Sequence, residues 1–272
     1  MSDELPPPDA VIPPSPSPPS PPHAAVPRWG ALVVALAVLF GGGIAIGRWA
    51  WGSSAATTAA PSSTSTSSAP TTATDPDATV LTHLVLQHED STLNVMLIGG
   101  GDQVRGQPTL DVCNGTFASE AHRTARLQVA ALDSQGNAQL STEAVLYSTP
   151  AESAEAFREI QSVVAKCPNS PVVSPVGEPT VTTHFNARPD GDWPQVPTVD
   201  RLAYSFTATD QSGRAQPSIA VYLRRGRALM GVYFPQPNST PPTISGQSTI
   251  AGIVNVFATR LAQLPASALN GP

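Results

Sequence analysis

The sequence contains little charge and almost no lysine. Charged residues make up 12% of the 272 residues, the formal net charge is −6, and Lys166 is the single lysine. Proteins that bind nucleic acid present a dense positive field that neutralises phosphates. This chain has no such excess of cations, so we expect no nucleic-acid partner. Arginine, alanine, proline and threonine are abundant instead, a bias typical of GC-rich bacterial genomes.

Recognisable catalytic and metal-binding motifs are also missing. The spacings that hold zinc do not occur among the histidines that follow residue 80, which are His83, His88, His122 and His184. The sequence has no G-x-S-x-G, no S-x-x-K and no phosphate-binding glycine loop that ends in lysine. We therefore expect neither enzymatic activity nor a bound metal or cofactor.

One long hydrophobic run lies near the N-terminus. From Trp29 to Gly47 the chain has nineteen residues without a charge, bracketed by Arg28 and Arg48. A helix of that length spans roughly 28 Å, which matches the hydrocarbon core of a bilayer. We predict an uncleaved signal anchor with a transmembrane helix over residues 29–51. A buried core helix fits less well because the run is apolar on every face. A cleaved signal peptide also fits less well, because 27 mostly uncharged residues precede the run, whereas a signal peptide has a short charged start.

Low-complexity segments lie on both sides of this run. Residues 1–28 are dominated by proline and are predicted to be a disordered cytoplasmic tail. Residues 1–27 are either a docking site for a proline-recognising partner or a solvated spacer. Residues 52–77 are rich in Ser, Thr, Ala and Pro and form a predicted flexible stalk. The remaining residues, 78–272, are enough for one folded domain with its own core.

The two cysteines, Cys113 and Cys167, both follow the hydrophobic run. An even pair on one side of a membrane suits an oxidising compartment, so we predict a disulfide between them rather than two buried free thiols. The cysteine pair also sets the expected topology. The positive-inside rule does not predict an orientation here, because one arginine lies on each side of the run. We expect a single-pass protein of the cell membrane with a cytoplasmic N-terminus and an extracytoplasmic C-terminal domain.

Hydrophobic periodicity predicts an α+β domain. Alternation of apolar residues predicts five strands, and a 3.6-residue period predicts helices before, between and after them. The helices are predicted at 80–87, 91–97, 150–166 and 249–264. The strands are predicted at 126–133, 138–147, 202–208, 219–223 and 228–234. We expect an irregular crossover over residues 168–197, and a twisted antiparallel sheet with the helices packed on one face.

Three segments of this domain carry a family resemblance. They are LVLQHEDSTLNVMLIGG (84–100), the helix with Tyr147, Ala154, Phe157 and Cys167, and IVNVFATRLAQLP (253–265). With the preceding membrane segment and stalk, they resemble the actinobacterial PknH-like extracellular sensor domains, which occur on receptor kinases and on stand-alone membrane proteins. The resemblance implies an extracytoplasmic ligand-sensing or partner-binding domain without phosphotransfer. The better-known family members carry two disulfides, whereas this chain has cysteines for one, and no kinase domain precedes its membrane segment.

A cluster of arginines at a predicted hairpin tip is the candidate ligand site. Arg224, Arg225 and Arg227 lie there with Tyr222 and Tyr233 nearby. Guanidinium groups bind carboxylates and phosphates through paired hydrogen bonds, which predicts an anionic envelope ligand. The alternative is a solvated turn without a ligand.

Three functions remain open from the sequence alone. The leading hypothesis is a non-enzymatic binding or sensing domain of the bacterial cell envelope, whose partner is an envelope ligand or a membrane or periplasmic protein. A cell-wall hydrolase is the first alternative, for which Glu143, Asp133 and His122 are available as acids and bases. A passive structural or assembly component of the envelope is the second.

Overall fold

A computed structural model describes residues 76–98, 110, 112–167, 172–173, 181–210, 212–236 and 239–271 of the chain. The predicted proline-rich tail, the predicted transmembrane helix and nearly all of the predicted stalk lie outside these residues. Within the described ranges, no helix is both long and apolar enough to cross a membrane. The first described residue, Pro76, begins a helix two residues ahead of the predicted domain boundary.

One antiparallel sheet of eight strands organises the domain, in the order β1-β2-β3-β8-β7-β6-β5-β4. The strands are β1 (Asn94–Leu97), β2 (Arg123–Leu132), β3 (Ala138–Tyr147), β4 (Val172–Val173), β5 (Val181–Ala187), β6 (Asp200–Asp210), β7 (Ala215–Arg225) and β8 (Ala228–Phe234). The helices are α1 (Pro76–Leu84), α2 (Pro150–Ala165), α3 (Ile250–Gln263) and α4 (Ala266–Asn270). The α+β class is confirmed, and so are the five predicted strands.

The helices lie on both faces of the sheet, so the prediction that they pack on one face is wrong. Residues of α1 and α3 join a cluster with Val221 of β7 and Val232 of β8. Residues of α2 join a second cluster with Tyr222 and Tyr233, the neighbours of those two residues along the strands. Neighbouring residues of a strand point to opposite faces. Every residue of β8 is buried, so other elements must cover both faces of the sheet. The sequence prediction considered only one alternating set of residues on each strand and therefore missed the second buried face.

The β2–β3 hairpin forms as predicted. Asp133 Oδ1 accepts hydrogen bonds from the backbone N–H groups of Gln135 and Asn137, at 2.9 and 2.8 Å. Gly136 has φ of 83°, the left-handed region that glycine adopts without strain. This turn chemistry fixes the register of the two strands, which pair antiparallel over nearly their whole length.

Helix α2 begins at the predicted capping box. The Thr149 side chain accepts a hydrogen bond from the backbone N–H of Glu152, and the Glu152 carboxylate accepts one from the backbone N–H of Thr149. Helix α3 is likewise capped by Thr249, whose hydroxyl accepts from the backbone N–H of Gly252 at 3.1 Å. Both helices therefore occupy the predicted segments to within a residue or two.

The disulfide between Cys113 and Cys167 is present, with the two Cα atoms 5.5 Å apart. It joins the segment before β2 to the end of α2 and closes a loop with a sequence separation of 54 residues. In the loop-entropy model, a cross-link of this span stabilises the folded state by about 4 kcal/mol.

Two further sequence predictions are wrong. The helix predicted at 91–97 is instead the edge strand β1, because residues 94–97 pair with β2 and only Val95 among them is buried. The predicted crossover at 168–197 contains the short strand β4 and the seven-residue strand β5. The β-branched run in β5 pairs with β6 along its whole length, a tertiary contact that the surrounding prolines concealed.

Candidate functional site

The end of β7 and the turn that follows it carry the three arginines of the predicted site, and each reaches a different part of the domain. Arg224 Nε donates to Asp200 Oδ2 at 2.9 Å, across the pairing of β7 with β6. Arg225 Nη1 donates to the carbonyl oxygens of Leu261 and Leu264, at 3.1 and 3.0 Å. Arg225 therefore satisfies two carbonyl groups at the C-terminal end of α3.

Arg227 is buried and ties two helices to the sheet. Its Nε donates to the carbonyl oxygen of Ala268 in α4 at 2.9 Å, and its two terminal nitrogens pair with the carboxylate of Asp77 in α1. Breaking such a pair leaves a charge buried without compensation. Arg227 therefore holds the architecture of the domain, and its side chain does not lie on the surface of the turn.

The two tyrosines of the predicted site are also buried. The rings of Tyr222 and Tyr233 meet edge to face, with centroids 6.1 Å apart, on the face that α2 covers. The ring of Tyr233 folds back over Gly231, where an added Cβ would lie 2.3 Å from the tyrosine oxygen. The structure therefore does not gather the five predicted residues at one surface, and contact of the tyrosines and of Arg225 and Arg227 with a ligand stays a prediction.

A buried polar cluster lies next to these rings. Arg126 Nε donates to Glu143 Oε1 at 2.5 Å, Arg126 Nη2 donates to Gln128 Oε1 at 3.0 Å, and the Tyr233 hydroxyl donates to Glu143 Oε2 at 3.1 Å. Burial raises the pKa of Glu143 against the opposing effect of Arg126. Burial and the nearby carboxylate raise the pKa of Tyr233 as well. Charged residues at inward positions of an apolar hairpin were the one sequence signal for this cluster.

A cleft of about 430 Å³ lies between α2 and the end of the sheet where β6 begins and β7 ends. Its walls are formed by Ala154, Phe157, Arg158, Gln161, Asp200, Arg201 and Arg224. Of the predicted site residues, Arg224 alone lines this cleft. No sequence signal predicted that Arg158 and Arg201, which lie in separate elements, would join Arg224 in this cleft.

The arginines of the cleft differ in how firmly they are held. Arg201 donates to Asp190 Oδ2 at 2.6 Å and to the carbonyl oxygens of Asp190 and Pro194. Its side chain is only 7% exposed. Arg158 pairs with Glu155 on the outer surface of α2, and its side chain is 68% exposed. Arg201 is therefore a fixed cation, whereas Arg158 can change partners at little cost.

A second, smaller concavity of about 300 Å³ lies between the end of α1 and the edge of the sheet formed by β1 and β2. Its lining is mainly apolar and includes Val85, Leu127 and Val129. Met96 and Leu97 of β1 also line it, and both are exposed large hydrophobic side chains. The sequence reading missed this groove because it assigned β1 to a helix.

The structure does not bring the three hydrolase candidates together. Asp133 and His122 flank opposite ends of β2, and the ten residues of this extended strand separate them by on the order of 35 Å. Glu143 lies buried between them, in contact with Arg126 and Tyr233. His122 instead contacts Glu152, with Nδ1 3.1 Å from Oε1. These three residues therefore do not share one site.

Groups of three or more His, Cys, Asp or Glu side chains that could hold a metal ion do not occur among the described residues. His184 lies beside the disulfide, with Nδ1 3.7 Å from the sulfur of Cys167.

The fold defines a disulfide-closed α+β domain built on one eight-stranded antiparallel sheet. No family model matches the sequence, and no curated protein matches it. Among solved structures, the chain is similar to the extracellular domain of PknH from Mycobacterium tuberculosis, with a TM-score of 0.34 and 13% sequence identity. The match covers 63% of this chain and 77% of that one. It is a distant structural match, and no residue role passes from that domain to this chain.

Proposed function

We propose that the chain is a single-pass protein of the bacterial cell membrane whose domain at 78–272 binds or senses a ligand outside the cytoplasm, without catalysis of its own. The disulfide between Cys113 and Cys167 supports the location, because such bonds persist in oxidising compartments and are rare in the cytosol. The uncharged run within residues 29–51 supports the anchor.

The cleft between α2 and the sheet is the observation that carries the binding function. Ligand sites are concave, and a few convergent polar groups orient what an apolar wall holds. Here Ala154 and Phe157 supply the apolar wall, and three arginines line the same space. The cleft therefore has the composition of a site that holds a ligand.

The experiment uses the full-length chain, purified without reductant and inserted in lipid nanodiscs, and exposed to cell-envelope extract. Ala154→Trp places an indole in the cleft. Ala151→Trp is the matched control, because Ala151 lies three residues earlier on the exposed surface of the same helix. We expect the wild type and the control to retain a molecule that mass spectrometry detects, and the Ala154 variant to lose it.

The mass of the retained molecule separates binding from hydrolysis. A molecule recovered intact supports a binding domain, whereas recovery of its hydrolysis product supports the cell-wall hydrolase. Equal retention by all three proteins would remove the cleft as the site. If nothing is retained, and deletion of residues 1–27 changes the envelope while deletion of 78–272 does not, the structural or assembly role replaces the proposal.

A further inference from the structure

The pair formed by Arg224 and Asp200 has the geometry of an occupied oxyanion site. Two nitrogens of the Arg224 guanidinium, Nε and Nη2, donate to one carboxylate oxygen of Asp200. Ligand carboxylates and phosphates bind the same Nε–Nη2 edge of arginine, with one oxygen on each nitrogen. The Asp200 carboxylate therefore marks a position at the cleft where a ligand oxygen would sit.

The Asp200 carboxylate is held there weakly. Its side chain is 52% exposed, whereas that of Arg224 is 22% exposed. An ion pair with one well-solvated partner contributes little, because water replaces the lost contact when that partner moves away. A ligand oxyanion can therefore displace Asp200 from Arg224 at small cost.

The other cations favour the same kind of ligand. The lining contains three arginines and one carboxylate, an excess of two positive charges. Asp190 offsets the charge of Arg201, and Glu155 offsets that of Arg158 from outside the lining. The Arg158–Glu155 pair lies on the helix surface with both side chains more than half exposed. Arg158 is thus available to turn toward an anion in the cleft.

We infer that the cleft binds the phosphate or carboxylate group of an envelope molecule between Arg158 and Arg224, in place of Asp200. The wall formed by Ala154 and Phe157 contacts the carbon atoms next to the anionic group. The inference rests on the proposed binding function and adds the chemical class of the ligand.

Inorganic phosphate is the probe, titrated at constant ionic strength into the full-length chain in nanodiscs. Arginine Nε–Hε signals in nitrogen–proton NMR spectra report the binding. We expect a saturable shift that weakens about tenfold in Arg158→Gln, the effect of one charge-assisted hydrogen bond. Arg224→Gln should weaken phosphate binding to a similar extent, because it removes the other guanidinium group that contacts the anion. Asp200→Asn should bind more tightly, since it removes the competing carboxylate.

Arg214→Gln is the matched control for Arg158→Gln. Arg214 is also an exposed arginine paired with a nearby carboxylate, Asp210, but it lies in the β6–β7 turn and outside the lining of the cleft. Its substitution should leave the phosphate affinity unchanged. Because Arg158 projects from the exposed side of α2, its substitution should also leave the fold intact, which unchanged backbone spectra would verify.

Absence of a saturable shift in both the wild type and Asp200→Asn would overturn the inference, and so would equal affinity in Arg158→Gln and the control. The binding function survives that result if an envelope molecule is still lost from Ala154→Trp, so the two failures are distinguishable. Two nanodisc compositions identify the source of the anion. Competition by phosphatidylglycerol, but not by phosphatidylcholine, assigns a lipid headgroup, and undiminished phosphate binding in both assigns a soluble molecule.

Discussion

The two faces of the sheet are built from different chemistry. The face under α1 and α3 is a continuous aliphatic cluster, to which Phe234 and Phe257 add the buried aromatic rings. The face under α2 holds stacked and edge-on aromatic rings, the disulfide and the buried pair of Arg126 with Glu143. The cleft also opens on the side of α2. The difference indicates that one face supplies most of the packing free energy, while the other positions polar groups.

The largest expected effect tests the aliphatic face. Phe257→Ala removes a fully buried ring from α3 and should lower the free energy of unfolding by about 3–5 kcal/mol. Phe157→Ala removes a ring from α2 that borders the open cleft, so the loss should be smaller. Denaturant unfolding of the unreduced protein measures both. An equal loss at the two positions would show that the faces do not differ in this way.

The second prediction concerns the polar cluster on the opposite face. Glu143→Leu removes the acceptor of hydrogen bonds from Arg126 and Tyr233, and should cost about 3 kcal/mol because those donors stay buried. Adding Arg126→Met to the same protein should recover most of this loss, as replacement of a whole buried pair does. If the double variant is as unstable as the single one, the cluster is not the source of the effect.

The third prediction concerns the effect of Asp90 on the pH dependence of the free energy of unfolding. Burial of the Asp90 carboxyl is outweighed by hydrogen bonds from Arg260, Ser245 and the backbone of Gln87, so the pKa of Asp90 lies below its usual value. A depressed pKa stabilises the fold above the unfolded-state pKa of about 4, and this stabilisation is lost as the pH falls through the folded-state pKa.

Asp90→Asn should therefore cost about 1–2 kcal/mol near neutral pH, and less as the pH falls below about 4. The difference in free energy of unfolding between the variant and the wild type, measured from pH 7 to pH 2, checks this. A difference that is constant over that range would contradict the assigned pKa shift.

Local signals in the sequence predicted the elements that are defined by a helix cap or a tight turn. Helix α2 was predicted from Thr149 and Glu152, and the β2–β3 hairpin from its turn residues, because each signal lies within a few positions along the chain. Strand β1 was missed because its four residues are a strand only by pairing with β2. The packing of helices on both faces was also missed. It depends on tertiary contacts, because a strand such as β8 is buried on both sides.

The candidate site was predictable only in part. Arg224 stood out in the sequence because neighbouring arginines marked the turn. Arg158 and Arg201 reach the same cleft from α2 and β6, and their meeting depends on how α2 lies across the sheet. Arg225 and Arg227 looked equivalent to Arg224 in the sequence, but their partners are backbone carbonyls and Asp77, which tertiary packing alone brings within reach.

The most direct test of an extracytoplasmic domain labels the cysteines of the full-length chain in intact protoplasts with a membrane-impermeant maleimide. Cys113 and Cys167 are the only cysteines in the sequence, so any label reports their state and side of the membrane. We predict no label before reduction, and label at both positions after an impermeant phosphine reductant is added outside the cells. Label that appears without reduction, and only after the membrane is permeabilised, would place the domain in the cytoplasm with free thiols and contradict its proposed extracytoplasmic location.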